Sequence, residues 1–215
     1  MSIVSFYDFV SELENKVHGE LPGEVVQFEM APLRVTQIRQ AKLSNPKPKQ
    51  GAVLILLYPG DNQPYFLLTK RNEYDGPHSG QVCFPGGKFE PQDQDLYQTA
   101  LRETREELGI DTAGVRVIGE LSPIYIVPSK FSVKPVIAVY PEKPVLAWDR
   151  REVAEVIPVG LSDLKNPENK MKGSVFSPSV RANISVPYFN FNNHRVWGAT
   201  AMILNELKWL VNEVH

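Results

Sequence analysis

The sequence lacks several features that would place it in a specialised class of protein. It has one cysteine, Cys83, so no internal disulfide can form and a reducing compartment is the natural expectation. No apolar run approaches the roughly 18 residues of a membrane span, and the N-terminus lacks the basic start of a signal peptide. With a net charge of -2, it also lacks the basic footprint that nucleic-acid binding usually requires. We therefore expect a cytoplasmic protein without nucleic-acid or membrane partners.

What is present is the composition of an ordinary globular protein, with 42% hydrophobic and 22% charged residues. The 215 residues suffice for one substantial domain, and no linker or internal repeat divides them. We therefore expect a single domain over residues 1–215. Apolar residues recur at helical spacing from about residue 3 to residue 18, which predicts an amphipathic N-terminal helix.

Short apolar segments farther along the chain predict strands. The run "AVLILLY", Ala52 to Tyr58, is typical of a strand buried on both faces, with "YFLLTKR", Tyr65 to Arg71, as its hairpin partner. Further strands are predicted in "QVCFPGG", "GVRVIGEL", "FSVKPVIAVYP", "DRREVAEVIPVGLSDL" and "VPYFNFNNHRVWG". The last segment predicts a helix with a core of Leu204, Leu207, Trp209 and Leu210. Mixed strands with strong helices indicate an α/β layered domain.

The segment from Pro85 to Ile110 carries the chemistry. Asp95 is a fair N-cap and Gly109 a C-terminal glycine, so a helix is predicted between them. Within it, Glu103, Glu106 and Glu107 stand at i, i+3 and i+4, where their carboxylates are expected to converge and repel one another. Arg102 is four residues before Glu106 and can hold that carboxylate by an ion pair.

Two interpretations of these acids remain open from the residues alone. Mixed charges such as those of "RETREELGI" are common on a solvated helix end. A divalent cation such as Mg²⁺ is the alternative, since it binds one or two protein carboxylates and completes its shell with water and phosphate. Two features favour the cation. The backbone of Gly86 and Gly87 can approach an anion closely, and the acids lie at the helix end that disfavours negative charge.

The same segment resembles the Nudix box, G-x5-E-x7-R-E-U-x-E-E-x-G-U, where U is a bulky apolar residue. The matching residues are Gly87, Arg102, Glu103, Glu106, Glu107, Gly109 and Ile110. Asp93 stands in place of the first acid, one residue farther from Arg102 than in the pattern, and Thr104 replaces the first apolar residue. With these departures, "GGKFEPQDQDLYQTALRETREELGI" is similar to the box of the coenzyme A pyrophosphatase-like branch.

The resemblance implies a fold and a reaction. The fold is α/β, a mixed β-sheet sandwiched between helices, with the box at residues 87–110. The reaction is hydrolysis of a nucleoside diphosphate linked to another group, with Mg²⁺ or Mn²⁺ as cofactor. Glu103 and Glu107 are the implied metal ligands, and Glu106 is a further ligand or the base that positions water. Arg102 is implied to orient Glu106, while Gly86 and Gly87 let the chain turn beside the metal.

A second resemblance lies directly upstream, in "LLTKRNEYDGPHSGQVCFPGG", Leu67 to Gly87. A similar motif in the same branch is thought to recognise coenzyme A, which makes Arg71, His78 and Gln81 candidate substrate-binding residues beside the two glycines. Here Asn72, Asp75 and Gly76 replace Ser, Leu and Arg of that motif. Cys83 is interpreted as a small buried residue.

Later segments resemble the branch more weakly. Glu152 or Glu155 is a candidate for a late metal ligand or general base, with a charged loop as the alternative interpretation. We take Glu152 as the candidate catalytic residue. Trp197 is interpreted as a core residue rather than as part of a substrate cleft.

The sequence therefore predicts a metal-dependent pyrophosphatase that cleaves coenzyme A or its derivatives into 3′,5′-ADP and a phosphopantetheine. A Nudix hydrolase for another nucleotide, such as ADP-ribose, a nucleotide sugar or a noncanonical nucleoside triphosphate, is the first alternative. A non-catalytic nucleotide-binding regulator is the second, although such domains usually lose box acids that are present here. The predicted partner is a small-molecule nucleotide, and the chain is expected to be a monomer or a homodimer. The preferred metal and the identity of the base stay open.

Overall fold

A mixed β-sheet flanked by helices dominates the computed structural model, which describes residues 3–32, 35–75, 78–177 and 181–214. The helices are α1 Ile3–Val17, α2 Glu24–Gln27, α3 Val35–Leu43, α4 Leu96–Leu108, α5 Leu161–Lys165 and α6 Ala199–Asn212. The strands are β1 Lys49–Pro59, β2 Pro64–Arg71, β3 Val82–Cys83, β4 Gly86–Lys88, β5 Arg116–Glu120, β6 Ile124–Ile126, β7 Phe131–Val139, β8 Val153–Gly160, β9 Lys170–Ser177, β10 Ala182–Phe191 and β11 His194–Trp197. Among the helices so described, none is long and apolar enough to cross a membrane.

The central strand of the sheet is β1, as its continuous apolar run predicts. It pairs in parallel with β7 and antiparallel with β2 and β4. The predicted hairpin with β2 is confirmed but short, because only Tyr58 and Pro59 of β1 pair with β2. Strand β8 pairs with β2 from Tyr65 to Arg71, and β3 pairs with Thr69 and Lys70 of β2. A separate three-stranded sheet has the order β11-β10-β9.

The sheet separates two apolar cores. Alternate side chains of β1 point to opposite faces. Ile55 and Leu57 pack in the core that includes α1 and α6, whereas Leu54 and Leu56 pack in the core beneath α4. The α/β class predicted from the sequence is therefore confirmed, with helices on both faces of the sheet.

The two terminal helices pack on the same face. Helix α1 buries Phe6, Val10 and Leu13, so the predicted amphipathic helix is confirmed. In α6, Leu204, Leu207 and Leu210 are buried as predicted. The prediction for Trp209 is wrong, because its side chain is 36% exposed. Its position, two residues after Leu207, is rotated by about 200° around the helix and faces away from the core.

A buried carboxylate fixes the short helix α2 against α6. Glu206 is fully buried and accepts hydrogen bonds from the Gly23 amide at 3.0 Å, the Gln27 side-chain amide at 2.8 Å and the Ser122 amide at 3.2 Å. Gln27 also donates to the Ser122 carbonyl at 2.9 Å. These bonds join the N-terminal segment, the stretch before β6 and the last helix into one unit.

Replacing Glu206 with alanine should test this junction. The substitution removes the acceptor of three buried or partly buried N–H bonds, so we expect the free energy of unfolding to fall by about 3 kcal/mol. Urea unfolding followed by circular dichroism measures the loss. Glu213→Ala, at an exposed position just past the same helix, serves as the control and should shift the midpoint little. An unchanged midpoint for Glu206→Ala would contradict the structural role given to this carboxylate.

Candidate active site

Helix α4 begins and ends where the sequence predicts. The Asp95 side chain caps it by accepting from the Gln98 amide at 2.8 Å. Gly109 ends it in the left-handed conformation, with φ of 68° and its amide bonded to the Arg105 carbonyl. Thr104, the polar residue at an apolar box position, is buried, and its hydroxyl donates to the Ala100 carbonyl at 2.8 Å. The departure therefore leaves no unpaired hydroxyl in the core.

The guanidinium of Arg102 is the most densely bonded group of the helix. An arginine has five N–H donors. Here Nε and Nη2 donate to Asp93 at 2.8 and 3.0 Å, Nη2 also donates to the Lys88 carbonyl at 3.0 Å, and Nη1 donates to Glu103 at 2.9 Å and to Glu106 at 3.1 Å. All five donors are thus used, and the side chain is held in one orientation.

Asp93 anchors this arginine from the loop before the helix. Besides its two bonds with Arg102, it accepts from the Thr99 hydroxyl at 2.9 Å and from the Glu90 amide at 2.9 Å. These bonds, that from Arg102 foremost, hold the pKa of the buried Asp93 carboxyl well below its ordinary value. From the sequence, Asp93 was assigned no role beyond its place in the pattern. Its contact with Arg102 was not evident from the sequence because the two lie nine residues apart, across a loop.

The three box glutamates are not equivalent. The ion pair predicted between Arg102 and Glu106 is present, but Arg102 binds Glu103 more closely, at 2.9 Å against 3.1 Å. The predicted convergence of the carboxylates is not observed: within the described residues no group of three His, Cys, Asp or Glu side chains could hold a metal ion. The guanidinium lies against Glu103 and Glu106, while Glu107 turns toward the protein interior, where it is 3% exposed.

Glu107 is a buried acid with one oxygen left without a partner. Its Oε1 lies 3.7 Å from Arg71 Nη1, and its Oε2 has no hydrogen-bond partner. Burial raises the pKa of Glu107 to about 8; the Arg71 guanidinium and the Gly86 amide oppose this shift, and the Glu103 and Glu152 carboxylates add to it. The carboxylate is therefore poised to become ionised where a positive charge approaches.

The two box glycines bring the backbone against these acids. Gly87 lies in β4 opposite Ala52, and a Cβ on Gly87 would collide with the Glu103 carboxylate. Gly86 has φ of 151°, and a Cβ there would collide with the carbonyl of Ala52 and with Val53. Side chains are thus excluded at both glycines, which lets β4 lie directly against β1 and the Glu103 carboxylate.

This donor set fits a divalent cation. Hard cations bind carboxylate oxygens, and Mg²⁺ uses one or two of them with water and substrate phosphate for the rest. The unpartnered Oε2 of Glu107 and the Glu103 carboxylate beside Gly87 meet that requirement without a third protein ligand. Burial also raises the pKa of Glu103, an effect that Arg102 opposes. A cation would favour the ionised form of both acids.

A cavity of about 510 Å³ opens on the other side of β4. Its lining contains all the residues that the sequence proposed for substrate binding: Arg71, His78, Gln81, Gly86 and Gly87. His78 Nδ1 and Gln81 Oε1 lie 2.9 Å apart in one turn, with His78 at φ of 68°. The loop and β4 therefore place these side chains on one wall, next to the backbone that touches Glu103.

Of the two substituted residues at positions 75 and 76 of the upstream motif, the structure describes only the first. Asp75 is exposed, and Gly76 lies outside the described residues. The cationic side chains among the described residues of the cavity lining are Arg71 and Lys88. These two, rather than a residue at 75 or 76, are positioned to meet a phosphate in the described part of the site.

Cys83 and Trp197 differ from the interpretation of the sequence. Cys83 is only partly buried and lines the cavity, and burial followed by the Glu107 charge raises the pKa of its thiol. Trp197 was expected in the core but lines the same cavity, because β11 carries it to the start of α6. The sequence pattern could not distinguish these positions, since each residue directly follows a buried valine, Val82 or Val196.

Glu152 lies near the box acids, whereas Glu155 is engaged elsewhere. The Glu152 charge contributes to the raised pKa of both Glu103 and Glu107, which places it within electrostatic reach of both. Its own side chain is exposed, in the turn before β8. Glu155 instead lies 3.2 Å from His194 Nε2. Of the two candidates, Glu152 is therefore the one whose charge acts on Glu103 and Glu107.

Comparisons with known proteins agree with the fold and the box. A family model described as NUDIX domain matches residues 48–176. The human mitochondrial coenzyme A diphosphatase NUDT8 is 41% identical over 160 residues, covering 73% of this chain and 67% of that protein. The mouse protein of the same name is 39% identical over 164 residues, covering 73% and 75%. An uncharacterised Nudix hydrolase, NudL, of Yersinia enterocolitica is 33% identical over 150 residues, covering 70% and 75%.

Among solved structures, the Nudix hydrolase RenU of M. Smegmatis superposes with a TM-score of 0.51. The match covers 77% of this chain and 88% of that one at 15% sequence identity. A likeness at this identity concerns the fold, and it agrees with the layered sheet described above.

The pKa of Glu107 predicts a pH-dependent stability. Because its folded pKa of about 8 exceeds the ordinary 4.5, the folded state binds more protons than the unfolded state between these values. The contribution of Glu107 to stability must therefore fall as pH rises through this window, by up to about 5 kcal/mol. Glu107→Gln removes this loss, so in EDTA the variant should exceed the wild type in unfolding free energy at pH 8 more than at pH 5. Glu106→Gln, an exposed neighbour, should follow the wild-type curve. Parallel curves for Glu107→Gln and wild type would contradict the burial effect.

Proposed function

Since the chain belongs to the Nudix hydrolase family, we propose that it is a metal-dependent pyrophosphatase that cleaves coenzyme A or its derivatives into 3′,5′-ADP and a phosphopantetheine. The observation that carries the proposal is the buried, unpartnered carboxylate of Glu107 behind a glycine strand. The other face of that strand lines a cavity with every predicted substrate-binding side chain. Two relatives with about two-fifths of their residues identical are coenzyme A diphosphatases by name, which supports this substrate.

The residues that would hold the metal are Glu107 and Glu103. Glu106, which is paired with Arg102, would position water rather than serve as a third ligand. A divalent cation such as Mg²⁺ or Mn²⁺ bound there would neutralise diphosphate charge and lower the pKa of a bound water. Arg102 keeps Glu103 and Glu106 in fixed positions, because all its donors are used and Asp93 anchors it. Such preorganisation reduces the rearrangement needed when the substrate binds.

The residues proposed to bind the substrate lie on the cavity wall beside the Nudix box. The Arg71 guanidinium is partly buried near Glu107 and can bind a diphosphate oxygen bidentately. Gly86 and Gly87 let the diphosphate approach the backbone of β4 without meeting a side chain. His78 and Gln81, already bonded to each other, offer further hydrogen-bonding groups.

Glu152 is our proposed general base. It is exposed, so it can exchange protons with solvent, and its charge acts on both Glu103 and Glu107. A base must stand within hydrogen-bond reach of the proton it removes, directly or through one water. The cytoplasm remains our predicted compartment, although the mammalian relatives are mitochondrial by name.

The substrate is tested by product release. Purified protein with Mg²⁺ or Mn²⁺ is incubated with coenzyme A, ADP-ribose, NADH, dinucleoside polyphosphates and nucleoside triphosphates. We expect 3′,5′-ADP from coenzyme A at a higher kcat/KM than any product from the other nucleotides. Faster cleavage of another nucleotide would transfer the proposal to that substrate. Tight nucleotide binding without any turnover would show a regulator instead of an enzyme.

The metal-binding role is tested on the helix itself. Glu107→Gln should lower kcat by at least about a hundredfold, because the amide cannot serve as an anionic ligand. Glu106→Gln should also lower kcat strongly, while both variants keep the wild-type circular dichroism spectrum. Arg105→Gln, an exposed position of the same helix, should retain near wild-type kcat. Full activity in both glutamate variants would show that the metal site is placed wrongly.

A further inference from the structure

The cavity beside the box has a polar end and an apolar end. At the polar end, Gly87 and the cationic side chains lie next to the box acids. Beyond it, the floor is the α6 face of the sheet, formed in succession by Val53 of β1, Phe131 of β7 and Ile126 of β6. These three side chains are apolar and only partly buried, so the cavity continues across the sheet as an apolar trough.

The roof of the trough comes from segments before β1 and after β10. Ile38 of α3 contributes from the N-terminal side, and Trp197 of β11 with Ala199 and Met202 of α6 contributes from the C-terminal side. Ala199 is partly buried, so its methyl group faces the space between roof and floor. The apolar end is therefore enclosed by elements other than those that carry the box.

The floor is slightly longer than a substrate arm. Strands β4, β1, β7 and β6 are successive neighbours, so Ile126 lies three strand spacings from Gly87 and, by the pairing of these strands, three residues farther along them. At about 4.8 Å per spacing and about 3.3 Å per residue this gives roughly 17 Å. The pantetheine arm of coenzyme A has about twelve bonds from the phosphate oxygen to sulfur, the backbone length of about four residues, or roughly 14 Å when extended.

We propose that this trough takes the pantetheine arm of the substrate, with the diphosphate at β4 and the sulfur end against β6. The assignment rests on the proposed function, since it presumes a coenzyme A substrate. It adds that Ile126 and Ala199 determine specificity, because both line the trough and are only partly buried, one on the floor and one on the roof. Acyl groups on the sulfur then lie at the turn between β6 and β7.

The chemistry of the two substrate halves favours the pantetheine arm over the nucleotide as the group that occupies the trough. Pantetheine is uncharged and contains a dimethyl carbon and several methylenes, so apolar walls suit it. The 3′,5′-ADP half carries a further phosphate, which needs cations along its path. Among the described lining residues, Arg71 and Lys88 supply positive charge, and both belong to the polar end.

Filling the trough from either wall tests the assignment. In Ala199→Phe and in Ile126→Phe, KM for coenzyme A and for hexanoyl-coenzyme A should rise by about tenfold or more, with kcat changed less than about twofold. Inhibition by 3′,5′-ADP, which lacks the arm, should keep its wild-type constant in both variants. Calorimetric binding of 4′-phosphopantetheine to the wild type should be lost in both. Ala113→Phe, at an exposed alanine before β5, is the matched control, and thermal unfolding checks that each variant is folded.

The outcomes separate this inference from the proposed function. If 3′,5′-ADP inhibition weakens together with coenzyme A binding, the nucleotide occupies the trough and the assignment is reversed. An unchanged KM in both folded variants would also overturn it. If the wild type does not cleave coenzyme A, the proposed function fails, and calorimetry alone tests whether the trough binds the pantetheine arm. In that case, binding of 4′-phosphopantetheine to the wild type that is lost in either substituted variant would still support the assignment of the trough. Absence of binding to the wild type would reject this assignment.

Discussion

The arginine that is anchored by Asp93 is the constraint on which the site depends. With its five donors engaged, Arg102 ties the loop before α4 to two carboxylates of the helix and to the carbonyl that ends β4. This leaves Glu107, one turn after Glu103 on the same side of the helix, as the buried acid without such support. The Arg102 guanidinium thus distinguishes the three glutamates. Glu103 and Glu106 are bound to it, whereas Glu107 is buried and its Oε2 has no hydrogen-bond partner.

Much of the fold followed from local patterns. Helix α4 could be predicted because its caps, Asp95 and Gly109, are local signals, and β1 because its apolar run is continuous. Segments whose position depends on distant partners could not be predicted. Helix α2 is held by a carboxylate more than 170 residues away in sequence, and β6 is a three-residue strand paired to β7. Neither has a periodicity long enough to be detected in the sequence.

The site was predictable in its residues more than in its geometry. A long motif identified Arg71, His78 and Gln81, and the structure brings them to one cavity wall. Spacing alone suggested that the box carboxylates converge, because it cannot show where a guanidinium will lie. Trp197 was assigned to the core for a similar reason: an aromatic side chain in an apolar strand is buried equally well against protein or against a substrate.

The glycine-containing strand β4 lies between two functional surfaces, the box acids and the trough, which meet only along this strand. The acids stand on one side of it, and the trough with its roof from α3 and α6 lies on the other. Substitutions in the roof leave the acids and their arginine untouched. Natural variants of such a chain can therefore change the substrate they accept without passing through an inactive intermediate. The hydrolytic centre and the selecting surface can evolve at different rates within one polypeptide.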